Sequence, residues 1–315
     1  MANHPRNILV TGLPRGGTTL TCKLLTGLPD TIALHEPMDI GRWLSLNGME
    51  AIYAEIDDFF AKNRESLLRD GTVMTKHVNG AIPDNPFAAH FDEKGLRPLL
   101  EERGMVKIEK PLSADFTFII KHPAAFTAVL KDLKKRYECY ALIRNPLSVL
   151  ASWQSVDMPV NRGRVPMAEA LDPELKGRLD ATPGVLERQL VILDWYCERF
   201  HRLLPTKRIV RYEDVVASGG KVLAKVAPIA DRFEQTLESR NRNQLYDWEM
   251  LQTLGERLLA TEGYWWRFYT PEDIREVMTG VVAKGGRDAV EESVEEGAAS
   301  VLGLPAICRN IISLI

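Results

Sequence analysis

The sequence predicts an α/β fold of three layers, in which a central, mostly parallel sheet lies between helices and a helical part follows at the C-terminal end. Three observations predict it. A strand, a polar turn and a helix recur in that order over 8–25, 116–133 and 137–153. The strand runs are short and apolar, while the helical runs repeat their apolar residues at three- and four-residue spacing. Each turn between them carries a cation, at Arg15, Lys121 and Arg144. Such alternation argues a parallel sheet whose ligands bind beyond the carboxyl ends of the strands. At 315 residues the chain fits one domain spanning 1–315, with a core over 7–216 and a helical extension over 217–315.

The first element follows Asn7. Ile8, Leu9 and Val10 form an apolar, partly β-branched strand, and Leu20, Leu24 and Leu25 fall at helical spacing after Thr18. Between them, Gly12, Gly16 and Gly17 let backbone N–H groups converge, and a helix starting near Thr18 aims its positive end at the same point. The loop is an anion site, above all for phosphate. A nucleotide triphosphatase reads G-x-x-x-x-G-K-[ST]; this chain reads Gly12-Leu13-Pro14-Arg15-Gly16-Gly17-Thr18-Thr19. The lysine is missing after the second glycine, and its charge has moved into the loop as Arg15. A guanidinium there grips phosphate or sulfate with a planar fork and never deprotonates.

Residues 31–34 are a short extended run ending in His35-Glu36-Pro37, and Pro37 disfavours a helical Glu36, which places Glu36 at a strand end. Over 49–68, Ile52, Ile56, Phe59 and Phe60 predict an amphipathic helix stopped by Asp70-Gly71. Over 72–112 two short strands, VMTKHV and GMVKIEK, surround a long loop holding Pro83, Asn85, Pro86 and Pro98, a candidate wall for an acceptor. Phe116 to Ile120 reads as a buried strand, and Pro123 opens a helix containing Phe126, Val129, Leu130 and Leu133. A strand over 137–143 leads through Arg144-Asn145-Pro146 into a helix with Leu147, Leu150 and Trp153. Residues 157–183, rich in Pro, Gly and Arg, read as an irregular flap. A long helix over 185–204 keeps Leu186, Leu190, Leu193 and Tyr196 in register and stops at Pro205, and a strand over 207–210 leads into Arg211-Tyr212-Glu213-Asp214. The remainder is mostly helical: the aromatic cluster Tyr264, Trp265, Trp266, Phe268 and Tyr269 closes the core, and the glutamate-rich stretch 288–296 forms a solvated helical face.

The second chemical motif is Arg144-Asn145-Pro146 followed by Ser152. An arginine at a strand end and a serine two helical turns on can reach one anion, the first by a bidentate grip and the second by a short neutral hydrogen bond.

The first loop resembles the 5′-phosphosulfate loop of the sulfotransferases that use 3′-phosphoadenosine-5′-phosphosulfate (PAPS), in the P-R-[SG]-G-T-[TS]-L form of tyrosylprotein, carbohydrate and many bacterial members. Arg144, Pro146 and Ser152 are similar, position for position, to the family's R-x-P-x-x-x-x-x-S segment, which holds the 3′-phosphate, and Arg211-Tyr212-Glu213-Asp214 resembles a later R-Y-E-D segment whose tyrosine lies near the nucleotide. The resemblance covers residues 8 to about 216. It implies a P-loop-like fold and a PAPS site made of Pro14, Arg15, Gly16, Gly17, Thr18, Thr19, Lys121, Arg144, Ser152 and Tyr212. It implies a general base as well. Glu36 stands where the tyrosylprotein branch has a catalytic glutamate, and His122 resembles the histidine of the cytosolic branch, although that branch reads K-T-H and this chain reads Lys121-His122. Both stay open, with His35 a minor third candidate. The cytosolic branch's late R-K-G segment has no match; Arg240-Asn241-Arg242 or Lys284-Gly285-Gly286 are candidate substitutes.

Composition bounds the partners. A net charge of −3 and a pI near 6.1 give no global pull toward nucleic acid or an anionic membrane. The scattered Cys22, Cys139, Cys197 and Cys308 have no metal spacing and read as reduced structural thiols. No apolar run reaches ~20 residues, so a soluble, cytoplasmic protein is expected. The expected activity is metal-independent transfer of a sulfuryl group from PAPS to a hydroxyl or amine of a small-molecule, carbohydrate or peptide acceptor, by a monomer or homodimer. Two other classes share the loop: a P-loop nucleotide kinase or triphosphatase, and a non-catalytic module that binds adenosine bisphosphates.

Overall fold

The structure, a computed structural model, describes residues 6–241 and 246–279. Strand β1 (Asn7–Gly12) runs into the glycine loop and helix α1 (Thr18–Thr26), which returns the chain to β2 (Thr31–His35). Helix α2 (Met49–Asp70) follows and ends on Gly71, whose φ of 67° gives the left-handed C-terminal cap that glycine takes without strain. An antiparallel hairpin of β3 (Thr72–His77) and β4 (Glu102–Lys107) comes next, then β5 (Thr117–Lys121) with the short helices α3 (Pro123–Ala128) and α4 (Leu130–Leu133). Strand β6 (Glu138–Ile143) feeds α5 (Pro146–Gln154). Helices α6 (Pro166–Leu171), α7 (Pro173–Ala181) and α8 (Val185–Leu203) lead to β7 (Ile209–Arg211), α9 (Tyr212–Ala217) and α10 (Trp248–Leu259), and a further helix covers 271–279.

Five strands form one parallel sheet in the order β2-β5-β1-β6-β7, flanked by helices. Its central strands are buried almost residue for residue rather than alternately, the pattern of a sheet covered on both faces. The register fixes the site. Thr11 and Gly12 end level with Ala141 and Leu142 of β6, and His35 pairs with Lys121, so the loops after β1, β2, β5 and β6 open on one edge.

The flap expected over 157–183 is instead helical. Pro159, Pro166 and Pro173, which read as breakers, each sit in the first turn of a helix or 3-10 turn, where the missing N–H has no intrahelical partner to lose, and the Asp172 side chain caps α7 by accepting from Leu175 N–H. The helix expected after Pro123 is broken at Val129 into α3 and α4. The strand expected over 207–210 starts two residues later, because Lys207 lies in a 3-10 turn. Beyond 217 the chain is helical only in part. Gly219 and Gly220, both at positive φ, end α9, and 3-10 turns at Lys221–Lys225 and Pro228–Arg232 precede an extended stretch before α10. Trp265 and Tyr269 of the aromatic cluster are buried in the core. The expected helical face over 288–296, Arg242, Lys284-Gly285-Gly286 and Cys308 lie outside the described residues. No described helix is long and apolar enough to cross a membrane.

Candidate active site

The glycine loop is held from below by the sheet and from the side by α5. Leu13 N–H donates to Leu142 O at 3.0 Å, Gly16 N–H to Leu13 O at 2.8 Å, and the Trp153 indole to Pro14 O at 2.9 Å. Arg15 takes φ 65° and Gly17 φ 85°, a conformation that turns the loop over α1. Gly17 also has no room for a side chain, since a Cβ there would stand 2.6 Å from Tyr212 Cδ2. Helix α1 therefore starts on a residue that offers no side-chain cap, and Gly17, Thr18 and Thr19 at its start line the cavity. Arg15 lies across this opening. Its Nε donates to Ser152 Oγ at 3.1 Å and its guanidinium stacks 4.6 Å from the Phe87 ring. Burial, and then the charges of Arg144, Arg97 and Arg240, pull it down to about 9 while Tyr246 acts the other way, so it is still a cation at neutral pH.

Arg144 follows β6 and is 5% exposed. Its Nε donates to Asn241 Oδ1 at 2.7 Å, Nη1 to Arg15 O at 3.1 Å and Nη2 to Arg240 O at 2.5 Å, and its guanidinium lies 4.8 Å from the Tyr212 ring. The Tyr212 hydroxyl in turn accepts from Arg240 N–H at 2.9 Å. Glu213 ties the same corner together by accepting from Asn145 N–H and from the Asn241 amide. Arg144 thus joins the first loop to the stretch around 240, and Arg240 stands beside it with Asp84 3.7 Å from its own guanidinium.

Opposite the loop, five side chains close a ring. Glu36 Oε1 meets Lys121 Nζ at 3.0 Å; Lys121 Nζ meets His35 Nδ1 at 2.8 Å; His35 Nε2 meets Glu101 Oε2 at 2.5 Å; Glu101 Oε1 meets Lys76 Nζ at 2.6 Å; and Lys76 Nζ returns to Glu36 Oε2 at 2.7 Å. Because the lysine can only donate, His35 accepts at Nδ1 and carries its proton at Nε2, which donates to Glu101. The ring holds two ammonium groups, two carboxylates and a neutral imidazole. Burial pushes the Glu36 carboxyl up, but the charges of Lys121 and Lys76 outweigh it and hold the carboxyl well below its ordinary range. Burial, and then Lys121, lower His35 against the opposing pull of Glu101 and Glu36. Glu36 has φ 45°, an uncommon conformation for a residue with a side chain, at the point where β2 ends before Pro37.

His122 is the first residue beyond β5. Its Nε2 accepts from Met38 N–H at 3.1 Å, and burial holds its pKa well below the usual histidine value. Lys121 and His122 nonetheless line the same cavity, although successive residues of a strand face opposite ways, because the strand has ended and His122 lies at the entry to α3.

These groups share one cavity of about 720 Å³. Of the residues singled out in the sequence, Pro14, Arg15, Gly17, Thr18, Thr19, Glu36, Lys121, His122, Arg144 and Tyr212 line it, and so does His35. Gly16 and Ser152 lie behind the lining, Gly16 in the loop turn and Ser152 as the acceptor for Arg15. The sequence reading did not single out Lys76, Glu101 or Arg97. Lys76 and Glu101 reach the ring only because the β3–β4 hairpin folds against the end of β2, where Thr75 Oγ1 accepts from His35 N–H at 3.1 Å. Arg97 donates to the Ala88 and Phe87 carbonyls and so fixes the segment that lays Phe87 over Arg15. None of the three has a local pattern that marks it. Among the described residues no group of three or more metal-ligating side chains is placed to hold a metal ion.

No protein-family model matches this chain, and no curated protein does. Among solved structures it is similar to the sulfotransferase domain of the Synechococcus PCC 7002 olefin synthase, at 14% identity over 89% of this chain and 96% of that one, with a TM-score of 0.34. It is also similar to the sulfotransferase STF1 from Mycobacterium tuberculosis H37Rv, at 15% identity over 88% of this chain and 77% of that one, with a TM-score of 0.30.

Proposed function

We propose that this protein is a sulfotransferase that moves a sulfuryl group from PAPS to an acceptor hydroxyl or amine and releases 3′-phosphoadenosine 5′-phosphate (PAP). One observation carries the reading. Arg15 at the N-terminal end of α1, with Arg97, Arg144 and Arg240 close enough to depress its pKa, faces a cavity that also holds an ionised carboxylate between two ammonium groups. Charge of that sign and density suits a small polyanion with an acceptor beside it.

The residues fit such a donor in parts. Arg15, the first N–H groups of α1 and the hydroxyls of Thr18 and Thr19 suit the 5′-phosphosulfate end. Arg144, Ser152 and Tyr212 suit the 3′-phosphate end: a guanidinium has five N–H donors and Arg144 has three engaged within the chain, while Ser152 accepts from Arg15 and keeps its own O–H to donate. Sulfuryl transfer needs in-line placement and stabilisation of charge on the leaving oxygen, and the lower charge of a sulfuryl group than of a phosphoryl group lets fixed cations do this in place of Mg²⁺. Arg15 and the loop supply that stabilisation at the leaving phosphate, with Lys121 on the acceptor side. Glu36, anionic at neutral pH and facing the cavity, accepts the proton of the acceptor.

Thermal unfolding tests the donor. A ligand bound by the folded state alone stabilises it by about 2.7 kcal/mol at a hundredfold excess over Kd. PAP without metal is expected to raise the melting temperature well beyond ADP or Mg²⁺·ATP. Equal shifts with all three ligands would refute the reading, and a larger shift with Mg²⁺·ATP would favour a nucleotide kinase or triphosphatase.

A further inference from the structure

Among the described residues the Arg15 guanidinium pairs with no carboxylate. Two neutral groups hold it: Ser152 Oγ, 3.1 Å from Nε, and the Phe87 ring, whose centroid lies 4.6 Å away. Arg97, Arg144 and Arg240 add charge of its own sign, and its two NH2 groups have no hydrogen-bond partner among the described residues. A carboxylate in the place of Phe87 would hold the guanidinium too, but it would cancel the charge that an anionic ligand has to meet and occupy the same N–H fork. A ring face attracts the cation through its quadrupole, takes up no N–H and leaves the charge uncancelled.

Phe87 is set there by residues distant from Arg15 in the chain. It is 5% exposed and pairs with Leu99 in a short antiparallel bridge, with Ala88 N–H donating to Pro98 O at 3.0 Å and Leu100 N–H to Pro86 O at 2.8 Å. Arg97, on the returning arm, directs its guanidinium at backbone: Nε donates to Ala88 O at 2.6 Å and Nη2 to Phe87 O at 3.4 Å. Its own N–H donates to Ser155 O at 2.9 Å, and the Ser155 hydroxyl donates to Ser152 O at 3.0 Å. Ser152 is the other group that holds Arg15, so the two holders are tied to each other through the C-terminal end of α5. The long loop that the sequence offers as an acceptor wall thus reaches the anion loop.

We propose that Phe87 is a positioning residue for Arg15: its ring face, braced by Arg97, holds the guanidinium beside the N-terminal end of α1, where it meets the 5′ end of the donor. The assignment rests on the sulfuryl-transfer reading for the identity of the ligand, whereas the pairing of ring and guanidinium is measurable without any ligand.

Calorimetric titration of the full chain with PAP and with adenosine 3′-phosphate, which lacks the 5′ group, tests it. Phe87→Leu and Phe87→Met fill the space without a ring face; each is expected to weaken PAP about three- to tenfold and adenosine 3′-phosphate less than about twofold. Phe87→Tyr keeps the face and is expected to bind PAP within about twofold of the wild type. A general loss of structure would weaken both nucleotides together and would not be rescued by tyrosine. In NMR spectra of the ligand-free chain, the Arg15 Nε–H proton, identified by its loss in Arg15→Lys, is expected to move downfield in Phe87→Leu but not in Phe87→Tyr, because a ring face shields the protons above it. Unchanged PAP affinity in Phe87→Leu and Phe87→Met, equal weakening of both nucleotides, or an Arg15 proton that does not move overturns the proposal. Absence of PAP binding by the wild-type chain refutes the donor reading instead, and the Arg15 proton still decides whether the ring holds the guanidinium.

Discussion

His122 Nε2 accepts a hydrogen bond from the backbone N–H of Met38 at 3.1 Å. A neutral imidazole has one basic nitrogen, and here that nitrogen is engaged, so Nδ1 carries the proton. Both Glu36 oxygens are engaged as well, by Lys121 and Lys76, but each carboxylate oxygen keeps a second lone pair and the side chain is 28% exposed. Of the two candidate bases that the sequence offers, the geometry favours the carboxylate.

Glu36→Gln is therefore expected to lower single-turnover sulfuryl transfer to an acceptor hydroxyl about a hundredfold or more, with PAP affinity retained. His122→Asn is expected to lower it less than about tenfold, and to lower the melting temperature through loss of the contact to Met38. Rapid-quench measurement of the transferred group decides between them. A near wild-type rate for Glu36→Gln would remove it as the base.

Arg144 combines two roles, and they separate on different ligands. Arg144→Ala is expected to weaken PAP by roughly 1.5–3 kcal/mol, the range for hydrogen bonds to a charged group, while adenosine 5′-phosphosulfate, which lacks the 3′-phosphate, changes little. The Asn241 and Arg240 contacts of the guanidinium are lost as well. Limited proteolysis is expected to cut the variant faster near 234–241. Equal weakening of both nucleotides would assign Arg144 to the fold or to the 5′ end.

Gly17→Ala puts a methyl group against the Tyr212 ring at a residue with φ 85°. Backbone strain of this kind costs about 1–3 kcal/mol, before any clash is counted. The variant is expected to melt several degrees lower and to lose PAP affinity. Tyr212→Leu in the same chain relieves the clash but not the strain, so the double variant is expected to recover stability only in part. Full stability of Gly17→Ala in calorimetry would contradict the close approach of Tyr212 to the loop.

Stability should depend on pH through the buried histidines first. The pKa values of His35 and His122 are lowered in the fold from 6.5, so protons bind the unfolded chain more readily. Their contribution is complete above about pH 6.5 and is lost as pH falls toward their folded values, at up to about 1.4 kcal/mol per pH unit for each histidine. Glu36 and Glu101, also lowered, begin to lose theirs only below their ordinary 4.5. The melting temperature is expected to drop between pH 7.5 and 5.5, and His122→Asn to make the drop shallower. A flat profile over that range would show that neither histidine is held neutral by the fold.

The sheet and one edge of the cavity are legible in local sequence. Apolar runs followed by glycine or proline specify β1, β5 and β6 and the helices after them, because strand and helix periodicities are local and so are the residues that end them. Gly12, Arg15, Gly17 and Arg144 are legible for the same reason: each sits at a fixed step from a strand end, and a strand end in a parallel sheet points at the site. The remainder depends on contacts between segments distant in the chain. Lys76 and Glu101 are 25 residues apart and pair with each other, and with Glu36 and His35 respectively, because a hairpin with no strong pattern packs on the end of β2. Pro159, Pro166 and Pro173 start helical turns because burial of Val160, Ala168 and Leu175 accompanies them, whereas proline alone reads equally as a break. The backbone N–H of Met38 reaches His122 Nε2, and where an N–H points is set by the packing of chain segments rather than by residue type.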